Sequence, residues 1–421
     1  MAKKLALFGG EKVRKQPFPP HPIIGEEEKR AVMEVLESGK ISTFIAQSGE
    51  LFLGGKKIRQ FEKDYTEYYD IKYAVAFNSA TSALHAAIVA CGLKPGEEVI
   101  VPPYTFTSTA TSVLMHNCIP VFVDIKPDIF CLDPAKIESA ITPRTRAIMP
   151  VHLFGHPADM DQIMSIANQH KLRVIEDCAQ SPGAIYKGKL VGNIGNCGIF
   201  SFTETKNIMT GEGGMLITND KEIAEIARMV RNHGEVIFEG QSQRTYRSDI
   251  LGWNYRMTEM EAALGIVQFR KMDELNQIRI ELSEYLASKL ADIDGLIPPV
   301  AYPDVKHARH AFAIKYSEAR IGIPRDTFVK ALAAEGIPFG AGYVRPLYLN
   351  PIYHENKPFI YKYYGKGISY DKGICPVTER LHEKELMLTA VCRPPATNSD
   401  MDDIVKAINK VIENKNELVE G

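Results

Sequence analysis

The strongest constraint on the fold is a regular alternation of short apolar runs and helical segments between about residues 72 and 177. Helical segments such as 80–91 and 159–169 separate the runs. Parallel strands need long, usually helical, crossover connections, so this alternation predicts an α/β domain with a mainly parallel central sheet. The predicted buried strands are YAVAF (73–77), EVIV (98–101), IPVFV (119–123), RAIMPV (146–151) and LRVIE (172–176).

The chain is predicted to have three parts. Residues 1–25 are rich in Pro and Gly without periodicity and are interpreted as an N-terminal arm lying over the rest of the chain. Residues 26–275 are predicted to form the large α/β domain, which includes strand-like runs at 197–202 and 214–218 around a glycine-rich stretch. Residues 276–421 are predicted to form a smaller C-terminal α+β domain.

Composition excludes several classes of protein. The formal net charge of −2, from 50 Lys+Arg and 52 Asp+Glu, predicts no nucleic-acid partner. No apolar run approaches the roughly 20 residues of a membrane-spanning helix. The seven cysteines form no CxxC pair, so neither a disulfide framework nor a metal site is expected. A cytoplasmic enzyme is the expectation.

A ligand is expected at the carboxyl ends of the predicted strands, where ligands of open α/β sheets bind. The first strand is followed by Asn78-Ser79-Ala80-Thr81-Ser82 and a helix. These small residues leave the first N–H groups of the helix open to a phosphate, and the alternative is that Asn78 or Ser79 only caps the helix. The second strand is followed by PPYTFT (102–107), whose aromatic rings could cover a flat heterocycle or pack in the core.

Two charged residues follow later strands. Asp177 ends a buried strand, so its carboxylate needs a cation or donor such as a protonated ring nitrogen, unless it caps a neighbouring loop. Lys206 lies between the run 197–202 and the turn GEGG (211–214), where a lysine can act as a Schiff-base amine or be a solvated surface group. A phosphate site, a ring-facing aromatic residue, a carboxylate and such a lysine together indicate pyridoxal 5'-phosphate (PLP).

Six stretches of the sequence resemble the DegT/StrS-type sugar aminotransferases, which are fold-type I PLP-dependent transferases acting on keto sugars and keto cyclitols. The stretches are NSATSAL (78–84), PPYTFTSTA (102–110), EDCAQSPGA (176–184), SFTETKNIMTGEGG (201–214), RNHG (231–234) and GWNYRMTEMEAALG (252–265). The resemblance implies PLP as the cofactor and a large domain with a mainly parallel central sheet plus a smaller C-terminal α+β domain.

The resemblance also implies a role for each matching residue. Lys206 would be the catalytic residue that forms the Schiff base (internal aldimine) with PLP and later carries a proton. Asp177 would pair with the pyridinium nitrogen, Gln180 would contact the ring hydroxyl and Phe106 would stack on the ring. The residues implied to hold the phosphate are Thr81, Ser82, Ser201 and, from a second subunit, Asn254. A homodimer with shared active sites is therefore expected.

The reaction implied by the resemblance is transamination. Some relatives carry His at the position of Lys206 and remove a hydroxyl group instead, so Lys206 favours amino transfer. The expected mechanism is ping-pong: L-glutamate or L-glutamine leaves its amino group on the cofactor, and a keto sugar, expected to be nucleotide-linked, or a related keto cyclitol collects it.

Alternative functions stay open on the sequence alone. They are an aminotransferase specific for keto cyclitols of the scyllo-inosose type, a non-catalytic PLP-binding regulator, and a decarboxylase or lyase on the same scaffold. A nicotinamide oxidoreductase is disfavoured because no GxGxxG follows a strand. The segment GAGYVRPLY (340–348) could face the substrate, and Arg231, Arg256 and Arg345 are candidates for binding a carboxylate, with surface salt bridges as the alternative.

Overall fold

The computed structural model describes residues 4–45, 50–237, 243–354 and 367–420. At its centre is a seven-stranded sheet with the order β1-β9-β8-β5-β4-β2-β3. Strand β9 is antiparallel to both β1 and β8, and the remaining pairs are parallel. The strands are β1 (Tyr73–Phe77), β2 (Glu98–Val101), β3 (Ile119–Phe122), β4 (Thr145–Ile148), β5 (Arg173–Asp177), β8 (Cys197–Ser201) and β9 (Gly214–Thr218). The predicted fold class is confirmed.

The strands form where the sequence predicts them because their side chains are buried on both faces of the sheet. In β1, Ala74 and Ala76 pack on one face, and Val75 and Phe77 pack on the other. The run 146–151 is shorter as a strand than predicted and ends at Ile148. Pro150 lacks the N–H group that a longer ladder would need.

Helices cover both faces of this sheet. One face carries α3 (Ala80–Ala90), α4 (Ser108–Met115) and α6 (Lys221–Arg231). The other carries α2 (Lys56–Tyr69), α5 (Met160–His170) and α7 (Glu259–Arg270). Helix α1 (Glu26–Ser38) packs on α7, and α8 (Met272–Leu290) leads into the C-terminal part. Acidic residues fill the first turn of α1, where the helix dipole favours them.

A second, four-stranded antiparallel sheet lies in the C-terminal part, with the order β10-β12-β14-β13. Leu282 of α8 packs in its core together with Phe312, Phe328 and Ile404. The strands are β10 (Leu296–Ile297), β12 (Phe312–Tyr316), β13 (Gly340–Ala341) and β14 (Leu386–Thr389), and a small third sheet joins β6 (Ile185–Tyr186), β7 (Lys189–Leu190) and β11 (Val305–Lys306). The helices of this part are α9 (Glu318–Ile321), α10 (Arg325–Ala334), α11 (Pro376–Arg380), α12 (Asn398–Glu413) and α13 (Glu417–Glu420).

The N-terminal arm lies over the C-terminal part. The buried Glu335 carboxylate accepts hydrogen bonds from the backbone N–H of Ala6 (2.9 Å) and Val13 (3.1 Å) and pairs with Lys410 (2.8 Å). Leu5 is buried among the apolar residues of the same part. The carboxylate therefore fastens the first residues of the chain to its last long helix.

The segment after β13 returns to the large sheet. Tyr348, Tyr353 and Tyr370 pack in the core on the α3–α4–α6 face, and the Tyr370 hydroxyl donates to the Pro120 carbonyl at 2.9 Å. The domain boundary predicted between residues 275 and 276 stays a prediction. In the described ranges, no helix combines the length and the apolar character that crossing a membrane requires.

A buried ion pair joins α2 to α6. The fully buried Arg231 guanidinium donates from Nη1 to Glu62 Oε1 at 2.7 Å and to the Ala76 carbonyl at 2.9 Å. Glu62 Oε1 also accepts the Ala76 N–H at 2.8 Å. Burial lowers the pKa of Arg231, and the Glu62 charge opposes that shift. The pair therefore stabilises a cation that the core would otherwise exclude.

We predict that Glu62→Ala lowers the free energy of unfolding by about 3–5 kcal/mol, because it leaves a buried guanidinium without its counter-ion. Urea denaturation at a fixed protein concentration measures this loss. Glu67→Ala on the same helix is the control. It removes only an exposed pair with Lys63 and should cost less than about 1 kcal/mol. Equal midpoints for the two variants would contradict the account.

Candidate active site

The strand order brings the predicted ligand-binding segments to one edge of the sheet. Strands β1, β8 and β5 run in the same direction, so their carboxyl ends lie at that edge. Because β9 is antiparallel, its first residue, Gly214, begins there and pairs with both Phe77 and Ser201. A Cβ on Gly214 would lie 2.5 Å from the carbonyl carbon of Ser79, so this position requires glycine.

Asp177 is buried at the end of β5. Its Oδ2 accepts a hydrogen bond from Thr109 Oγ1 at 2.8 Å, and its Oδ1 accepts from the Ala179 N–H at 3.1 Å. Burial raises the pKa of Asp177, and the two donors and the charge of Lys206 oppose the rise. The bond from the Ala179 N–H fits a carboxylate that caps the following loop. The same carboxylate also accepts from Thr109 and is influenced by the charge of Lys206.

Lys206 lies in the loop between β8 and β9. The loop is closed by hydrogen bonds from the Thr210 N–H to the Phe202 carbonyl (2.8 Å) and from the Glu204 N–H to the Gly211 carbonyl (3.0 Å). Burial lowers the pKa of Lys206 to about 8, and the charge of Asp177 opposes the shift. The Lys206 side chain is half-buried, and its amine makes no hydrogen bond or ion pair within the described part of the chain. Its role as a Schiff-base amine stays a prediction.

The turn after β1 is a capped helix start. Ser79 Oγ accepts the Ser82 N–H at 3.1 Å, so Ser79 caps the N-terminus of α3, as one of the two alternatives predicted. Ser82 Oγ donates to Asn78 Oδ1 at 2.7 Å, and Thr81 is half-buried in the first turn of α3. Ser201 is buried at the end of β8. The three hydroxyls predicted to hold a phosphate therefore lie at the same sheet edge as Asp177 and Lys206.

The two aromatic residues after β2 differ in their surroundings. Phe106 is 57% exposed, whereas Tyr104 is completely buried. The Tyr104 hydroxyl accepts the Tyr343 N–H at 2.8 Å. Tyr104 therefore packs in the core, which was the alternative for the aromatic residues of this segment. Phe106 does not, and its stacking on the cofactor ring stays a prediction.

Gln180 connects this edge to the C-terminal part. Its Oε1 accepts the Phe154 N–H at 2.8 Å, and its Nε2 donates to the Tyr343 hydroxyl at 3.0 Å. Burial raises the pKa of Tyr343, and the charge of Asp177 adds to the rise, so the hydroxyl stays a neutral hydrogen-bond donor. The segment interpreted from the sequence as substrate-facing (340–348) thus reaches the site through Tyr343.

Asn254 is exposed, and its role in a partner's site stays a prediction. Its Oδ1 accepts from Arg256 Nε at 2.8 Å. Of the arginines considered for binding a carboxylate, Arg231 is buried in its pair with Glu62, which makes it unavailable to a ligand. Arg345 is exposed on the segment that carries Tyr343.

One buried group has side chains of the types that bind metal ions, with their possible ligand atoms close together. It consists of His152, Glu176 and Cys178. The Glu176 carboxylate accepts N–H groups from the loop over residues 192–195 and a hydrogen bond from His152 Nε2 at 3.1 Å. His152 Nδ1 in turn accepts the Ala158 N–H at 2.9 Å. These bonds occupy the ligand atoms of Glu176 and His152, so the group anchors a loop.

One residue that contacts the site, Thr109, was not singled out from the sequence. Thr109 lies four residues after Thr105 at the start of α4, and a carboxylate at the end of a neighbouring strand needs a donor. Thr109 could have been predicted from that need together with the spacing of the two hydroxyl residues, which is about one helical turn. The aromatic ring of Tyr104 was expected at this edge, but its contact with Tyr343 could not be predicted because it depends on how a distant segment packs.

Comparisons with known proteins agree with this arrangement. Residues 22–409 match the DegT/DnrJ/EryC1/StrS aminotransferase family. The chain is 39% identical to GDP-perosamine synthase of Caulobacter vibrioides over 79% of this chain and 85% of that protein. It is 34% identical to L-glutamine:2-deoxy-scyllo-inosose aminotransferase of Streptoalloteichus tenebrarius over 99% of this chain and all of that protein.

The fold has matching solved structures. The aminotransferase from Psychrobacter cryohalolentis superposes with a TM-score of 0.84 at 32% identity, covering 94% of this chain and 99% of that one. The family and its solved structures imply PLP as the cofactor, and they confirm the resemblance noted from the sequence. The chain belongs to the DegT/DnrJ/EryC1/StrS family of sugar and cyclitol aminotransferases and is a PLP-dependent enzyme.

Proposed function

We propose that this aminotransferase moves an amino group from L-glutamate or L-glutamine to a keto sugar, expected to be nucleotide-linked, or to a related keto cyclitol, by a ping-pong mechanism that uses Lys206. The observation that carries the proposal is the Lys206 amine, which is unpaired in the described chain and whose pKa is lowered by burial and raised by the charge of the buried Asp177. A lysine with a lowered pKa is a nucleophile for carbonyl groups near neutral pH.

The residues at the sheet edge fit PLP by their chemistry. Asp177 is a buried carboxylate with remaining acceptor capacity, as a protonated ring nitrogen needs. Thr81, Ser82 and Ser201 offer hydroxyls beside a helix N-terminus, which suits a phosphate. Gln180 keeps one amide hydrogen beyond its bond to Tyr343, which suits a ring hydroxyl. Phe106 offers an exposed ring for stacking.

When bound, PLP supplies an electron sink for the carbon whose bond to hydrogen breaks. Asp177 would keep the ring nitrogen protonated, which is the state that draws electrons into the ring. Lys206 would hold the cofactor covalently, and its free amine would serve as the proton carrier of the reaction. Burial keeps part of the Lys206 population neutral near pH 8, as a proton acceptor requires.

The acceptor class rests on the related proteins and on the segment around Tyr343. One relative is named for GDP-perosamine and another for 2-deoxy-scyllo-inosose with L-glutamine as donor. The scyllo-inosose relative aligns with 99% of this chain, which supports a keto-cyclitol acceptor as the second candidate. Tyr343 and Arg345 would contact the acceptor, because the Tyr343 hydroxyl meets Gln180 at the sheet edge.

We infer a homodimer in which Asn254 completes the phosphate site of the partner subunit. The surface near Asn254 supports this inference, since Leu251 is 78% exposed and Tyr246 is 76% exposed. Large apolar side chains exposed together are typical of an interaction surface. Phe106, at 57% exposed, adds to the apolar area at the site.

The acceptor is tested with the enzyme loaded with an amino group by glutamate or glutamine. We expect a keto sugar or keto cyclitol from a panel of both classes to restore the visible absorbance that the donor removed. Lys206→Ala should fold normally. Its rate of amino transfer should be lower by roughly 10²–10⁴-fold, because it lacks the proton carrier. Glu204→Ala, an exposed change in the same loop, should keep full activity. Restoration by no sugar or cyclitol, or substantial turnover by Lys206→Ala, would refute the proposal.

The reactivity of Lys206 should depend on pH with a midpoint near 8. Its pKa is lowered to about 8, so the neutral amine predominates above that pH and the ammonium below it. Competitive acetylation of the cofactor-free protein, read by peptide mass spectrometry, measures this midpoint. Asp177→Asn removes a charge that raises the pKa of Lys206, so its midpoint should move to lower pH. A midpoint near the ordinary lysine value of about 10.4 would argue against a desolvated amine.

A further inference from the structure

We propose that Thr109 is a positioning residue that keeps Asp177 ionised and oriented toward the ring nitrogen of the cofactor. The inference rests on the proposed role of Asp177 and adds a residue that lies outside the matched cofactor contacts. Thr109 is completely buried in the first half of α4 and touches the site only through the carboxylate.

The direction of the hydrogen bonds follows from the chemistry of the groups. An ionised carboxylate can only accept, so Thr109 Oγ1 donates its single proton to Asp177 Oδ2 at 2.8 Å. Thr105 Oγ1 lies 3.1 Å from Thr109 Oγ1 and must therefore donate to it. Both threonines are buried, so water does not compete for these bonds. Thr105, Thr109 and Asp177 thus form a chain of donors that ends on the carboxylate.

The chain leaves the carboxylate able to bind a ring N–H. An ionised carboxylate accepts about four hydrogen bonds. Thr109 uses one position on Oδ2, and the Ala179 N–H uses one on Oδ1 at 3.1 Å. With each oxygen held by one fixed donor, the plane of the carboxylate cannot turn freely. The remaining lone pairs therefore keep a constant direction at the sheet edge.

Thr109 is also the donor whose contribution stays constant through the reaction. The titratable groups that act on Asp177 or feel its charge are Lys206, His152, Cys178 and Tyr343. Burial raises the pKa of Asp177, and Thr109 is the first of the groups that oppose the rise. The charge of Lys206 changes as it carries protons, whereas a threonine hydroxyl does not titrate. Thr109 can thus hold the carboxylate ionised when Lys206 is neutral.

The test uses the cofactor-loaded enzyme with ¹⁵N in the cofactor ring, because the nitrogen chemical shift reports whether the ring is protonated. In Thr109→Val the carboxylate loses its donor and attracts the ring proton more strongly. We therefore expect the ring proton to shift toward Asp177, so that at neutral pH the nitrogen chemical shift moves toward the value of the unprotonated ring. Cofactor affinity should weaken by roughly tenfold or more, and kcat should fall more than KM.

Matched variants separate positioning from packing. Thr109→Ser keeps the hydroxyl, so it should restore the wild-type nitrogen chemical shift, and its cofactor affinity should lie within about twofold of the wild type. Thr111→Val is the control on the same helix, because its hydroxyl donates to the Thr107 carbonyl and not to Asp177, and it should behave as the wild type. A folded Thr109→Val with an unchanged nitrogen chemical shift and an unchanged affinity would overturn the proposal.

Asp177→Asn distinguishes this inference from the proposed function. If Asp177→Asn leaves ring protonation and affinity unchanged, the proposed role of Asp177 fails, and the role of Thr109 fails with it. If Asp177→Asn alters both and Thr109→Val alters neither, only the role of Thr109 is overturned. Should Thr109→Val not fold, Thr105→Val tests the same chain of donors. A smaller change of the nitrogen chemical shift in the same direction supports the proposal, and an unchanged chemical shift overturns it.

Discussion

A buried carboxylate and the amine of a half-buried lysine act on each other at the carboxyl edge of the central sheet, and the site depends on the balance between them. Burial raises the pKa of Asp177 and lowers the pKa of Lys206 to about 8, and the charge of each opposes the shift of the other. Among the described residues, neither the Asp177 carboxylate nor the Lys206 amine forms a direct ion pair. The result is a carboxylate held by Thr109 and Ala179 and an amine that stays free to react.

The topology of the sheet makes this balance possible. Strand β9 runs against its neighbours, so the loop that carries Lys206 returns to the same edge from which it left. Gly214 then lies against the turn at Ser79, which joins the predicted phosphate residues to the lysine loop. The C-terminal segment completes the edge, because Tyr343 reaches both Gln180 and Tyr104. One edge thus gathers groups from distant parts of the sequence.

The sequence predicted the parts of this arrangement that depend on local pattern. Buried strands leave continuous apolar runs, and a charged residue directly after such a run, as at Asp177, stands out against the cost of burying it. Contacts between distant segments left no such pattern. The bond from Thr109 to Asp177, the contact of Tyr343 with Gln180 and the burial of Arg231 against Glu62 are set by how helices and strands pack. Arg231 was therefore a candidate for binding a substrate carboxylate, whereas in the structure it is buried in an ion pair with Glu62.

The Lys206 amine is proposed to hold the cofactor covalently. Borohydride reduction of the purified holoenzyme fixes such a bond, and peptide mass mapping then locates it. We expect a pyridoxyl phosphate mass on the peptide containing Lys206 and on no other lysine peptide. The same mass on a different lysine, or its absence from an enzyme that turns over, would contradict this role of Lys206.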